Sequence, residues 1–174
     1  MSGPDLDRWI ADPVLRTRHR RTAPAPPADL WAAAEGIALR DVRTLGRLVR
    51  WRIPGTPAAT TFRELFRSPP FVVLEERGGC LVSGLAGRIW TLDRDYPRLA
   101  GPSEFAAWDR PRTAKVVFAH WVEPAGEGSA LVSEARVAGT DRRATLRLQT
   151  LWALVGPFER LIGGEALALA ARRA

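Results

Sequence analysis

A chain of 174 residues has the length of one ordinary domain, enough to bury a core without disulfides or a metal. Hydrophobic residues make up 46% and charged residues 26%, a globular rather than disordered balance, and no apolar run approaches the roughly 20 residues of a membrane span. Cys80 is the single cysteine, His19 and His120 are the two histidines, and the net charge is +7, which together exclude an internal disulfide and argue against a Cys/His zinc site.

Residues 1–14 read as an N-terminal extension; they carry acidic residues and no apolar h-region, so no secretion signal is expected and the expected location is cytoplasmic. Residues 15–23 read as a strand. They hold the densest basic cluster, Arg16 to Arg21, which reads as the exposed side of a strand or as a phosphate-binding patch. With no RNP signature, no CxxC pair and no aromatic among these arginines, nucleic acid is not an expected partner. A Pro-rich stretch then opens a helix near Ala28, with Leu30, Trp31, Ala34 and Ile37 at helical spacing and Gly36 closing it. A second helix places Leu39, Val42, Leu45, Leu48 and Val49 on one side and Arg40, Arg43, Arg47 and Arg50 on the other, before Pro54-Gly55. Residues 61–67 add a helical turn.

The middle of the chain reads as a hairpin of residues 71–74 and 81–85, with glycines at the turn and the second strand continuing towards Trp90. Gly84 and Gly87 there remove side chains that would otherwise fill an interior. Residues 91–111 are loop-like, with a short helix at Ser103–Trp108 capped by Ser103, and Tyr96 placed for either a lid or a plain surface loop. A second hairpin joins Thr113–Val122 to Ser129–Ala138 through Glu123–Gly128. From Asp141 to Arg173 a helical pattern repeats at steps of three or four, capped by Thr140 or Asp141, bent at Gly156-Pro157 and loosened at Gly163-Gly164.

Strand side chains alternate between faces. If Glu123 pairs with Ser129, then Phe118, His120, Glu134 and Arg136 share one face; a one-residue change in turn length breaks that grouping. On an outer face, Glu134 and Arg136 would form an exposed ion pair of little worth. On an inner face they and His120 would form a polar site, retained for a purpose because buried charges are costly.

The order of elements is α+β. Phe71–Glu76 (FVVLEE), Gly84–Trp90 (GLAGRIW), Ala114–Pro124 (AKVVFAHWVEP), Ser133–Asp141 (SEARVAGTD) and Leu151–Gly163 (LWALVGPFERLIG) resemble bacterial members of the START-like, or SRPBCC, superfamily. Where that group often carries an aromatic, this chain has His120. The resemblance implies a single helix-grip domain over residues 1–174. A curved antiparallel sheet would wrap around a long kinked C-terminal helix, with two shorter helices after the first strand and a cavity between sheet and helix. It also implies the inner placement.

The expected partner is then a hydrophobic small molecule such as a lipid, isoprenoid or polyketide, with no cofactor, no metal and no stable membrane insertion; a homodimer is allowed. The candidate ligand-binding residues are Arg88, Trp90, Phe118, His120, Glu134, Arg136 and Trp152, with Trp90 at the pocket mouth and Arg88 meeting an anionic head group. Trp152 and Phe158 read equally as packing residues of the last helix. The alternative function is a polyketide cyclase or dehydratase, for which His120 is the candidate acid–base group. No GxSxG, Walker loop or GxGxxG supports another enzyme class.

Overall fold

Pro at the start of a helix loses no hydrogen bond, because the first N–H groups have no partner within the helix. Pro27 accordingly opens α1 (Pro27–Glu35), which follows β1 (Leu15–Ala23) and ends at Gly36. These elements come from a computed structural model that describes residues 3–91 and 95–174; the side chains of 154–163 are outside that description. A 3-10 turn (Leu39–Asp41) leads into α2 (Arg43–Arg52). The short α3 (Phe62–Leu65) is held by a reciprocal cap: the Glu64 N–H donates to the Thr61 hydroxyl at 3.3 Å, and the Thr61 N–H to the Glu64 carboxylate at 2.8 Å.

The first hairpin is β2 (Val72–Arg77) with β3 (Cys80–Gly87), and the second is β4 (Ala114–Ala125) with β5 (Gly128–Gly139). Between them lies α4 (Pro102–Ala107), one residue earlier at each end than the expected Ser103–Trp108. β3 stops at Gly87 rather than continuing to Trp90, because the chain folds back and the Arg88 N–H donates to the Asp95 carbonyl at 3.1 Å.

The expected long terminal helix is two helices, α5 (Arg142–Gly163) and α6 (Glu165–Arg173). Asp141 caps α5, its carboxylate accepting from the Ala144 N–H at 2.7 Å. Gly156 and Pro157 fall within α5, and the interruption comes at Gly164. Two adjacent glycines weaken a helix by about 1 kcal/mol each. α6 can then turn to bury Ala166, Leu167 and Ala170 beside Leu30 and Ile37 at the end of the sheet.

The five strands form one open antiparallel sheet in the order β1-β5-β4-β3-β2. Both faces are covered. On one, the N-terminal extension and the segment around α4 bury Leu6, Trp9, Ile10 and Phe105 against Val117, Ala119, Trp121 and Val132. On the other, helices α1, α2, α3 and α6 pack with Leu131 and Val122, and α5 lies against β5 and β1. Gly84 belongs to the first face: a Cβ there would lie 2.7 Å from the ring of Phe105, so its missing side chain admits that ring and does not hollow an interior.

Candidate functional site

The pairing of β4 with β5 decides which side chains meet. Glu123 pairs with Ala130 and Pro124 with Ser129, so the strands run to a two-residue turn, Gly126-Glu127, with Gly126 at φ 59°. This is one residue away from the expected Glu123–Ser129 pairing, and the change of parity separates the expected group. His120 sits opposite Ser133, and Phe118 opposite Ala135. Glu134 and Arg136 point to the other face.

On the helical side a cavity of about 530 Å³ lies between the sheet and the helices. Its floor is Thr17 and His19 of β1, Leu81 of β3, Phe118 and His120 of β4, and Leu131, Ser133 and Ala135 of β5. Helices α1, α2, α5 and α6 supply Trp31, Leu45, Leu48, Val49, Trp152 and Leu167, and Phe62, Leu65 and Phe66 come from α3 and its end. The lining is overwhelmingly apolar, and two of its rings, Phe66 and Phe118, cluster with Phe71, which lies outside it. Phe66 and Phe71 lie 5.7 and 5.8 Å from Phe118, centroid to centroid.

Polar groups are few. Register aligns His19 with Ser133 and Ser133 with His120, so both histidines and one serine form a row across the floor. The His120 ring lies 4.6 Å from that of Phe66, and its Nε2 is buried with no hydrogen-bond partner among the described residues. Burial pushes its pKa down to about 4. The charged lining residues are Glu35, Arg63 and Arg67; the Arg67 guanidinium bonds Glu35 at 2.8 Å and Glu76 at 2.6 Å.

Of the expected binding residues, Phe118, His120 and Trp152 line this cavity, whereas Arg88, Trp90, Glu134 and Arg136 do not. Arg88 pairs with Asp95 at 3.7 Å, and Trp90 lies under Arg147, both beyond the end of β3. The Phe158 side chain is outside the described residues. Tyr96 accepts a hydrogen bond from Arg52 and is not part of the lining.

Glu134 and Arg136 are buried on the opposite face, neither the exposed pair nor the pocket site that the sequence allowed. Arg136 donates from Nε to Glu134 at 2.8 Å and from Nη1 to the Ile10 carbonyl at 2.9 Å and to Asp7, while Arg16 reaches Glu134 at 2.9 Å. Burial pushes the Glu134 carboxyl up, but hydrogen bonds from Arg16 and Arg136 outweigh it and hold it below the ordinary value. Two further arginines of the β1 cluster have partners: Arg20 bonds Glu123 at 2.9 Å, and Arg18 lies over the Trp121 ring.

His19, Ser133, Thr17, Trp31 and the α2 and α3 side chains were not singled out from the sequence as site residues. For His19 and Thr17 a signal existed, since they alternate with Arg16, Arg18 and Arg20 on the strand. For the helices, only their docking over the sheet brings them to the site.

No family model matches the chain, and no curated protein matches it in sequence. Among solved structures it is similar to TTHA0849 from Thermus thermophilus, with 14% identity over 91% of this chain and 96% of that one, at a TM-score of 0.36. It is similar to Mll3558 from Rhizobium loti at 16% identity over 92% and 96%, with a TM-score of 0.33. For CalU16 from Micromonospora echinospora the values are 15%, 91%, 82% and 0.30. Likeness of this degree fixes neither ligand nor activity.

Proposed function

We propose that this protein is a START-like, helix-grip member that binds a hydrophobic small molecule, such as a lipid, isoprenoid or polyketide, in the cavity between sheet and helices. The observation that carries the reading is the cavity itself. At about 530 Å³ it falls within the roughly 300–1,000 Å³ of small-molecule sites, and its lining is apolar with a few placed polar groups. Binding would be driven by removal of ligand surface from water, at roughly 25 cal/mol per Å² of apolar area. The row of His19, Ser133 and His120 supplies a place for one oxygen or nitrogen function of the ligand.

A cyclase or dehydratase needs an acid–base group that titrates near the working pH. Burial lowers the His120 pKa to about 4, so at neutral pH it is an uncharged imidazole, suited to hydrogen bonding a ligand rather than to donating a proton as a general acid.

The test uses N-phenyl-1-naphthylamine, an apolar dye that fluoresces when removed from water. Saturable binding is expected, and the variant Ala135→Phe, which places a ring in the floor of the cavity, should weaken it at least tenfold while the protein stays folded. A wild-type protein that gives no saturable signal overturns the proposal.

A further inference from the structure

The outer face of α2 combines cations with exposed apolar side chains. The helix contains four arginines and no acid. Arg52 turns inward, donating to the Thr91 carbonyl at 2.9 Å and the Ile89 carbonyl at 3.0 Å. Arg43, Arg47 and Arg50 are exposed. Two carboxylates beside the helix are already engaged: Glu165 accepts from the Leu45 N–H at 3.0 Å, and Asp41 from Arg173 at 2.9 Å. Beside the arginines stand two of the three large apolar side chains exposed among the described residues, Trp51 at 52% and Leu48 at 41%.

Helical spacing orders these groups. Arg47 and Trp51 are four residues apart and Leu48 and Trp51 three, so they are neighbours on one surface. Leu48 also lines the cavity, together with Leu45 and Val49 from the adjoining face of the same helix. An apolar strip therefore runs from exposed Trp51 over the rim at Leu48 into the cavity wall, flanked by a row of cations. A basic helix with an indole and a leucine on its outer side suits an interface where phosphates lie above hydrocarbon.

We infer that α2 docks this protein on an anionic phospholipid bilayer. Arg43, Arg47 and Arg50 meet lipid phosphates, and Trp51 and Leu48 enter the head-group boundary. Docking in this orientation turns the Leu48 rim of the cavity towards the lipid. The surface stands on α2 alone, so it does not depend on what the cavity binds.

The experiment is flotation of the whole protein with vesicles of phosphatidylcholine alone or mixed with phosphatidylglycerol. Wild type should float with the anionic vesicles, less so in high salt, and not with phosphatidylcholine alone. At about 1 kcal/mol per basic side chain near such a surface, Arg43→Gln with Arg47→Gln should weaken binding roughly 30-fold. Trp51→Ala should weaken it several-fold. The charge-matched pair Arg18→Gln with Arg21→Gln, on β1, should leave it unchanged. All variants should match wild type in naphthylamine dye binding, which separates this surface from the cavity reading, and in far-UV circular dichroism, which reports an intact fold. No flotation with anionic vesicles overturns the inference. So does an equal loss in the β1 pair, which would mean attraction by net charge only. Full binding by Trp51→Ala also overturns it, since a site that reads only phosphate charge would ignore the indole.

Discussion

His120 concentrates the chemistry of the site in one residue. Its neighbours are rings, its Nε2 has no partner among the described residues, and burial lowers its pKa from 6.5 to about 4. The unfolded chain therefore takes up a proton near pH 6.5 that the folded chain refuses until about 4. Stability is full above the higher value and falls as the pH drops through that window, by about 3 kcal/mol in total. In His120→Leu that part of the slope should vanish, and urea denaturation at pH 7 and pH 5 measures it. A slope identical to wild type would mean that the imidazole is charged or solvated in the fold. The sequence marks the histidine as a candidate but not its neutrality, because the packing of Phe66, distant in sequence, against it sets its solvation.

At the scale of elements, alternation and punctuation located the strands well. Each of the five appears near its expected place, because a nearly continuous apolar, β-branched run such as 114–122, bounded by Pro and Gly, is what a strand buried on both faces requires. Register was less legible. Glu123-Pro124-Ala125-Gly126-Glu127-Gly128 reads as a turn throughout, yet the ladder continues through Pro124, which is tolerated because β3 ends opposite Trp121 and asks nothing of the Pro124 nitrogen. One residue of turn length then exchanges Ser133 for Glu134 in the cavity floor. The close approach of α4 to β3 is testable at the same scale. Gly84→Ala would set a methyl 2.7 Å from the fully buried ring of Phe105, and should cost about 1–3 kcal/mol in denaturant unfolding. It should leave dye affinity unaltered, since the contact lies across the sheet from the cavity.

For the molecule as a whole, the two faces of the sheet have different tasks. The face under the N-terminal extension is packed and tied by charge: Arg136 joins Glu134 to Asp7 and the Ile10 carbonyl, and Arg16 of the edge strand closes the group. The extension is thus part of the core through Leu6, Trp9 and Ile10. Glu134→Gln removes the one charge that Arg16 and Arg136 share, and should destabilise the protein by about 3 kcal/mol at pH 7 with dye binding unchanged. Loss of dye affinity in a folded Glu134→Gln protein would contradict the division between the faces. The helical face, by contrast, is left unfilled between Phe118, Trp152 and Leu45, and that space is where the proposed ligand would sit.

The order of elements, the caps at Gly36 and Asp141, and an α+β arrangement followed from local sequence alone, since propensity, capping and periodicity act over a few neighbouring residues. The partners of Glu134 and the joining of His19, Ser133 and His120 in one row depended on strand pairing between distant parts of the chain. Those arrangements are set by how volumes and charges fit across the sheet, which no short stretch of residues contains.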